Sequence, residues 1–101
     1  MKFFIIKKRN EIISAKNFTS SVTNKYFSIK YNKECSNGVL IINTKKNCKT
    51  SVKRNQLKRR IKEILRITDF TGTLVIYSRP PAFKASFSHI KEHLQNLIYK
   101  I

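Results

Sequence analysis

Residues 51–66 read SVKRNQLKRRIKEILR, and this stretch decides the fold because apolar residues with a helical period run through a dense set of cations. Leu57, Ile61 and Leu65 recur at i, i+4 and i+8, and Ile64 joins them at i+7, which is the spacing of one helical face. At about 100° per residue, the opposite side collects polar and basic residues: Asn55, Arg59, Lys62 and Arg66, with Lys58 and Arg60 on the flanks. The sequence therefore predicts a helix that rests one face on a sheet and directs cations outward.

The basic character extends beyond this helix. Residues 45–66 hold ten cations and one acid, Glu63, and the whole chain has 22 Lys and Arg against 5 Asp and Glu, a net charge of +17. Like charges four residues apart, such as Lys58 and Lys62, cost about 0.2–0.5 kcal/mol per pair, so a merely solvated helix normally mixes signs. An unmixed excess of this size favours a polyanionic partner, and arginine adds forked donors that fit phosphate oxygens.

No part of the sequence is suited to crossing a membrane, because the longest wholly apolar runs have four residues. The opening MKFFIIKK differs from a signal peptide in its short apolar part and in the lack of a small-residue cleavage site. Cys35 and Cys48 form no CxxC pair and no ligand cluster with histidine, so we expect reduced thiols. These features predict a cytoplasmic protein without a membrane partner.

Further elements surround the basic helix. Residues 7–16 suit a first helix, residues 39–44 a central strand that is apolar on both faces, and residues 73–77 another strand. Residues 26–32 alternate, which is typical of a strand covered on one side. With a last helix near the end, the order is helix, two or three strands, basic helix, strand and helix. This order predicts one α+β domain over residues 1–101, with helices packed on a small sheet.

The last helix begins at Ser86 or Ser88, since either hydroxyl can act as its N-cap. Its predicted apolar stripe contains six residues: Phe87, Ile90, Leu94, Leu97, Ile98 and Ile101. His89 and His93 are spaced i, i+4 on this helix, but no third ligand lies nearby in sequence, so we interpret them as surface histidines. The five carboxylates are scattered and form no grouping with serine or histidine. We predict no catalytic residue and no metal ligand in this chain.

Charge alone leaves the kind of nucleic acid open. The chain has no helix-turn-helix signature, and a basic helix between two strands is expected to lie flat on the sheet instead of projecting into a groove. The alternation of residues 26–32 puts Tyr26, Ser28 and Lys30 on the face opposite Phe27, where Tyr26 and Lys30 offer a platform for single-stranded nucleotides. Tyr26 fits the core equally well.

Residues 53–63, KRNQLKRRIKE, resemble the hallmark of the protein subunit of bacterial ribonuclease P. That hallmark is an Arg-Asn-Arg-x-Lys-Arg-x-x-Arg-Glu helix preceded by a Lys-Lys pair. The resemblance covers nearly the whole chain, since further pieces follow in the same order: GVLII at 38–42, KKN at 45–47, LVIY at 74–77, Arg79-Pro80 and Ser86-Phe87. The order and spacing of these pieces are specific even though each piece alone is weak.

The resemblance implies a two-layer αβββαβα sandwich with a small, mostly antiparallel sheet, as in domain 2 of ribosomal protein S5. It also implies a left-handed βαβ crossover, an exception to the usual right-handed rule. In that family a large catalytic RNA, using Mg²⁺ held by the RNA and the substrate, hydrolyses the phosphodiester that joins the 5′ leader to precursor tRNA. The small basic protein binds this RNA as a monomer in a 1:1 complex and grips the leader between the sheet and the first helix.

Two sets of residues carry these implied roles. The motif and its flanking cations predict the surface for ribonuclease P RNA: Lys45, Lys46, Lys49, Lys53, Arg54, Asn55, Lys58, Arg59, Arg60, Lys62 and Arg66. Five residues are expected to line the leader cleft: Ile12, Lys16, Tyr26, Ser28 and Lys30. The chain departs from the family pattern at Gln56 and Lys62, two positions at which the motif has Arg. The family often has aromatic residues at the positions of Ile12 and Lys16, and its strand tyrosine falls at Lys30.

Two other readings stay open. A ribosomal or other structural RNA-binding protein of similar fold would carry the same basic helix without any role in cleavage. A nonspecific DNA-binding protein is the third reading, from the charge alone. Binding of precursor tRNA that depends on the 5′ leader distinguishes the ribonuclease P hypothesis from these two alternatives.

Overall fold

The computed structural model describes residues 1–101 and shows one five-stranded mixed sheet with three α-helices. The elements follow in this order: β1 (Phe4–Ile5), α1 (Arg9–Lys16), β2 (Ser21–Thr23), β3 (Phe27–Asn32), β4 (Gly38–Ile42), α2 (Ser51–Ile67), β5 (Thr73–Ser78), a 3₁₀ turn (Pro80–Phe83) and α3 (Phe87–Tyr99). The strands lie side by side in the order β1-β4-β5-β3-β2. The predicted α+β fold and its αβββαβα order are confirmed, with β1 as an additional short strand.

The pairing of the strands places β5 in the middle of the sheet. β4 and β5 are parallel and are joined through α2, the kind of crossover that parallel strands need, while β3 runs antiparallel to both β5 and β2. Two of these three pairings are antiparallel, and β1 adds a second parallel pairing with β4. β1 has only two residues, too few for any alternation to be read from the sequence.

The main core lies between the sheet and the α2–α3 pair. The predicted stripe of α2 is confirmed, since Leu57, Ile61, Ile64 and Leu65 are all buried. The α3 stripe is buried at Ile90, Leu94, Leu97 and Ile98. Phe87 departs from the prediction because it is the first residue of the helix and remains 38% exposed. Helices packed in this way owe most of their stability to the buried face.

A smaller core lies on the other face of the sheet, under α1. Ala15 of α1 packs with Ile6 and with Val75, whose side chain points away from its buried neighbours Leu74 and Ile76. Several predicted boundaries shift by one or two residues: α1 begins at Arg9 instead of residue 7, β3 begins at Phe27 instead of residue 26, β4 is Gly38–Ile42 instead of 39–44, and β5 ends at Ser78 instead of residue 77. Because α1 is only eight residues long, it covers part of this face and leaves the rest open.

Candidate nucleic-acid interface

The basic surface of α2 is accessible along the whole helix. None of the eight α2 residues predicted to contact RNA is buried. Arg59 and Arg66 are exposed, while Lys58, Arg60 and Lys62 are partly covered because their alkyl stems lie along the protein surface. This arrangement keeps the charged ends in solvent, where they can reach a phosphate backbone.

The structure divides these cations between two flanks of α2. Lys62 and Arg66 border a groove with Phe3 and Ile5, near β1. Arg59 and Arg60 border a separate groove on the α3 side: Val52, Gln56, Arg59, Arg60, Glu63 and Phe87. Arg60 therefore shares its flank with Glu63, the only acid of the helix, whereas Lys62 and Arg66 face no acid of α2.

A basic loop precedes α2 at the carboxyl ends of β4 and β5. The Asn43 side chain donates through Nδ2 to the carbonyl oxygen of Arg54 at 2.9 Å, which ties the start of the loop to the first turns of α2. The Asn47 side chain donates through Nδ2 to the carbonyl oxygen of Ser78 at 3.0 Å, which ties the middle of the loop to the end of β5. Three lysines of this loop are exposed: Lys45, Lys46 and Lys49.

The N-terminus of α2 reinforces the positive potential of this loop. No side chain caps it and its first turn contains no acid. Unpaired N–H groups and the helix dipole therefore add a partial positive charge beside the loop lysines. A helix N-terminus with surrounding cations attracts anions such as phosphate. The loop and the basic side of α2 thus form one continuous surface, which we call the basic face.

The open part of the α1-side sheet face forms a second surface. Cross-strand pairing aligns Ser28 of β3 with Thr23, Tyr77 and Ile42 of the other strands. In the next row of the same face, Lys30 of β3 is paired with Val75 of β5, and Val75 is fully buried beneath α1. The Ser28 row borders this small core, since Ile42 and Tyr77 pack against it, but none of the four residues in the row is buried. We call the open row together with the adjoining end of α1 the cleft.

Lys30 joins α1 to the cleft. Its Nζ donates to the carbonyl oxygen of Lys16 at 3.0 Å, where a cation stabilises the C-terminal end of the α1 dipole. The same Nζ lies 5.8 Å from the ring centroid of Tyr77, within the range of a cation–π contact. Ile12 packs on the small core beneath α1. The structure thus brings together four of the five residues predicted for the cleft: Ile12, Lys16, Ser28 and Lys30.

The predicted placement of Tyr26 in the cleft is wrong. β3 begins at Phe27, and the Asn24 Oδ1 accepts the backbone N–H groups of both Tyr26 and Phe27, at 2.9 and 2.8 Å. This turn takes Tyr26 out of the strand alternation on which the prediction depended. Its ring instead lies 4.5 Å from that of His93 on α3, centroid to centroid, and packs against the main core.

Tyr77 is the cleft aromatic that the sequence analysis missed. It lies directly across from Ser28 in β5, with a partly exposed ring beside Lys30. In the sequence it ends the apolar run at 74–77, which predicts a strand but no role in the cleft. The sequence did contain one signal for this position. Tyr77 lies two residues after Val75, so both side chains point to the same face of the strand.

Comparison with known proteins connects these two surfaces to a family. A family model described as Ribonuclease P matches residues 2–101. The chain belongs to the Ribonuclease P family. It therefore has a role in ribonuclease P, an endoribonuclease of tRNA processing, and the partner that the family implies is ribonuclease P RNA. No individually curated protein matches the sequence significantly.

Solved structures of ribonuclease P proteins share the fold. The protein from Thermotoga maritima superposes with a TM-score of 0.79 at 23% identity, over 95% of this chain and 96% of that one. The protein from Staphylococcus aureus gives a TM-score of 0.77 at 25% identity, over 94% of this chain and 86% of that one. A Staphylococcus aureus mutant described as defective in mRNA degradation gives 0.76 at 21% identity, over 95% and 86% of the two chains. No helix of the present chain is long and apolar enough to cross a membrane.

Proposed function

We propose that this chain is the protein cofactor of ribonuclease P, which binds the catalytic RNA through the basic face and the 5′ leader of precursor tRNA in the cleft. The observation that carries the proposal is the presence of two different surfaces at one end of the sheet. The basic face offers exposed cations around a helix N-terminus, and the cleft offers the aromatic ring of Tyr77 beside Lys30. A protein that binds a folded RNA and a single strand at once needs both.

The basic face suits the backbone of a folded RNA. Side chains cannot enter the deep, narrow major groove of an RNA helix, so such helices are recognised through phosphates and shape. Arg59 and Arg66 present forked donors without partners in the protein's own acids, and Lys45 and Lys46 extend the cations beyond the helix. Each phosphate neutralised in this way releases counterions, which supplies affinity that falls as salt rises.

The cleft suits an unpaired strand. Tyr77 offers a partly exposed ring on which a base can stack, and Lys30 stands beside the ring where a phosphate of the same strand would pass. Ser28 and Thr23, whose hydroxyl oxygens lie 3.2 Å apart, offer donors and acceptors for a ribose or a base edge. Stacking tolerates every base, so we propose that the cleft binds leaders of different sequence.

In this proposal the protein contributes charge and positioning and leaves the bond-breaking chemistry to the RNA. The chain brings no three of its His, Cys, Asp and Glu side chains together as a ligand set. Mg²⁺, which activates water and stabilises developing charge in phosphodiester hydrolysis, would be held by oxygens of the RNA and the substrate. The cations of the basic face lower phosphate repulsion, so the complex would assemble at less Mg²⁺. We place this action in the cytoplasm, with one protein per RNA.

The test is cleavage of precursor tRNA at low Mg²⁺ by ribonuclease P RNA from the same source, with and without the purified protein. We expect the protein to restore cleavage at the correct 5′ end, and the Tyr77→Ala variant to weaken binding of precursor tRNA but not of mature tRNA. If the protein binds the RNA and cleavage is unchanged, the role is that of a structural RNA-binding protein. Equal binding of double-stranded DNA would indicate nonspecific nucleic-acid binding.

A further inference from the structure

A second group of aromatic rings lies outside the cleft, where the turn between β2 and β3 meets α3. The ring of Tyr26 stacks against that of His93 at 4.5 Å with a tilt of 33°, and His93 approaches His89 at 6.4 Å and 70°, close to edge-to-face. We call Tyr26, His89 and His93 the ring group. These distances are within the range of favourable aromatic pairs, so the three rings form one connected surface.

The ring group is held in place by Asn24. Its Oδ1 fixes the backbone at Tyr26, while its Nδ2 donates to the carbonyl oxygen of His93 at 3.1 Å. The guanidinium of Arg79 donates through Nη1 to the carbonyl oxygen of Asn24 at 3.0 Å. One side chain therefore joins the turn to α3, and Arg79 joins the turn to the end of β5. A platform fixed in this way loses little freedom when a ligand binds.

The groove beside the ring group combines aromatic faces with cations. Seven residues border it: Lys25, Tyr26, Pro80, Pro81, Lys84, Ala85 and His89. Lys25 and Lys84 are exposed, and no acid is among the seven. Nζ of Lys25 lies 6.0 Å from the centroid of the Tyr26 ring. Aromatic rings interspersed with cations, without acids, are what a single-stranded nucleic acid binds.

The groove and the cleft are neighbours at this end of the sheet. Tyr77 of the cleft is followed by Ser78 and Arg79, and the backbone N–H of Arg79 donates to the carbonyl oxygen of Tyr26 at 2.9 Å. A strand that leaves the Tyr77 ring over this end meets Arg79 and then Tyr26. This proximity favours the same RNA strand as the occupant of both sites.

We propose that the ring group binds an unpaired base of the distal leader, farther from the tRNA than the nucleotides in the cleft. Lys25, Arg79 and Lys84 neutralise the phosphates on either side of that base. The inference rests on the proposed binding of the leader in the cleft. It gives the protein a second, length-dependent contact with precursor tRNA, so that substrates with longer leaders bind more tightly.

The experiment measures the affinity of the complete ribonucleoprotein for precursor tRNAs whose leaders are lengthened one nucleotide at a time. With the wild-type protein we expect affinity to rise in two steps, first as the cleft is filled and again as the groove is reached. His89→Ala, and separately the Lys25→Ala/Lys84→Ala double variant, should each remove the second step, with an expected loss of about ten-fold for long leaders. All three residues are exposed, so these variants are expected to fold. Lys33→Ala, an exposed lysine at the opposite end of the sheet, is the matched control.

The outcomes separate this inference from the proposed function. If wild-type affinity is independent of any leader, leader binding in the cleft fails and the inference fails with it. If affinity rises with the first leader nucleotides but the variants equal the wild type on long leaders, the cleft stands and the ring group is excluded. If the variants lose affinity equally for short and long leaders, the groove contacts the catalytic RNA instead, which also overturns the inference.

Discussion

Gly72 is the residue at which the backbone tolerates no side chain. Its φ is +130°, and a Cβ there would lie 2.6 Å from the carbonyl oxygen of Asn32 and 2.7 Å from Cα of Lys33. Both contacts are with backbone atoms at the turn after β3, which cannot rotate away. We expect Gly72→Ala to lower the free energy of unfolding by about 2 kcal/mol or more, measured by urea denaturation.

Gly38 supplies the matched control. A Cβ at Gly38 would meet Cζ of Phe4 at 3.0 Å and Cγ1 of Ile6 at 3.3 Å, both of which are side-chain atoms. These side chains can move, and Gly38 has no positive φ, so Gly38→Ala is expected to cost clearly less than Gly72→Ala. If both variants lose the same unfolding free energy, the positive φ at position 72 does not explain why glycine is present there.

Substitution of Arg59 tests a single phosphate contact of the basic face. Arg59 is exposed on the side of α2 opposite the buried stripe, so its replacement should leave the fold unchanged. If its guanidinium neutralises one phosphate, Arg59→Ala should lower the magnitude of the log–log salt slope for ribonuclease P RNA by about 0.7–0.9. Arg59→Lys keeps the charge and should restore the slope, while affinity stays lower because the forked donor is lost. An unchanged slope in Arg59→Ala would remove this residue from the interface.

At the scale of elements, the start of α3 depends on one hydroxyl. Ser86 is the N-cap, and its Oγ accepts the backbone N–H of His89 at 3.4 Å, whereas Ser88 lies inside the helix and is exposed. Because the bond is long, we expect Ser86→Ala to cost about 0.5–1 kcal/mol of unfolding free energy. Ser88→Ala should be neutral or slightly stabilising, since alanine is the better helix former. Thermal unfolding of both variants decides between the two caps that the sequence allowed.

The elements that the sequence predicted are those whose information is local. α2 carries its own period over 17 residues, and the predicted buried residues from Leu57 to Leu65 follow directly from it. The cleft depends instead on strand order, because Tyr77 meets Ser28 only after β5 has paired between β4 and β3. Tyr26 was misplaced because a turn at Asn24 makes the alternation begin at Phe27, one residue later than the pattern indicated. Non-local pairing and side-chain turns of this kind leave no periodic signal in a single sequence.

At the scale of the whole molecule, the charge acts on stability as well as on binding. The net charge of +17 is contained within extents of 33 × 27 × 22 Å. The Debye length is about 30 Å at 0.01 M salt and about 10 Å at 0.1 M, so at low salt the cations of the basic face repel those elsewhere in the molecule. This repulsion opposes the compact state and is relieved either by salt or by a polyanion. The same cations therefore destabilise the free protein and stabilise its complex.

We expect the free energy of unfolding of the isolated protein to rise between about 0.01 and 0.1 M KCl, while its affinity for RNA falls over the same range. Lys62→Glu tests the cause, because it replaces like-charge pairs with Lys58 and Arg66 by pairs of opposite charge. This variant should unfold at higher urea than the wild type at low salt, lose most of that advantage at high salt, and bind ribonuclease P RNA more weakly. A wild-type stability that does not change with salt, or a Lys62→Glu protein that is less stable at low salt, would show that self-repulsion does not limit the fold. Salt is expected to raise the stability of the free protein and to lower its affinity for RNA because the same cations are involved in both. In the complex these cations lie against phosphates, and in the free protein they face only one another.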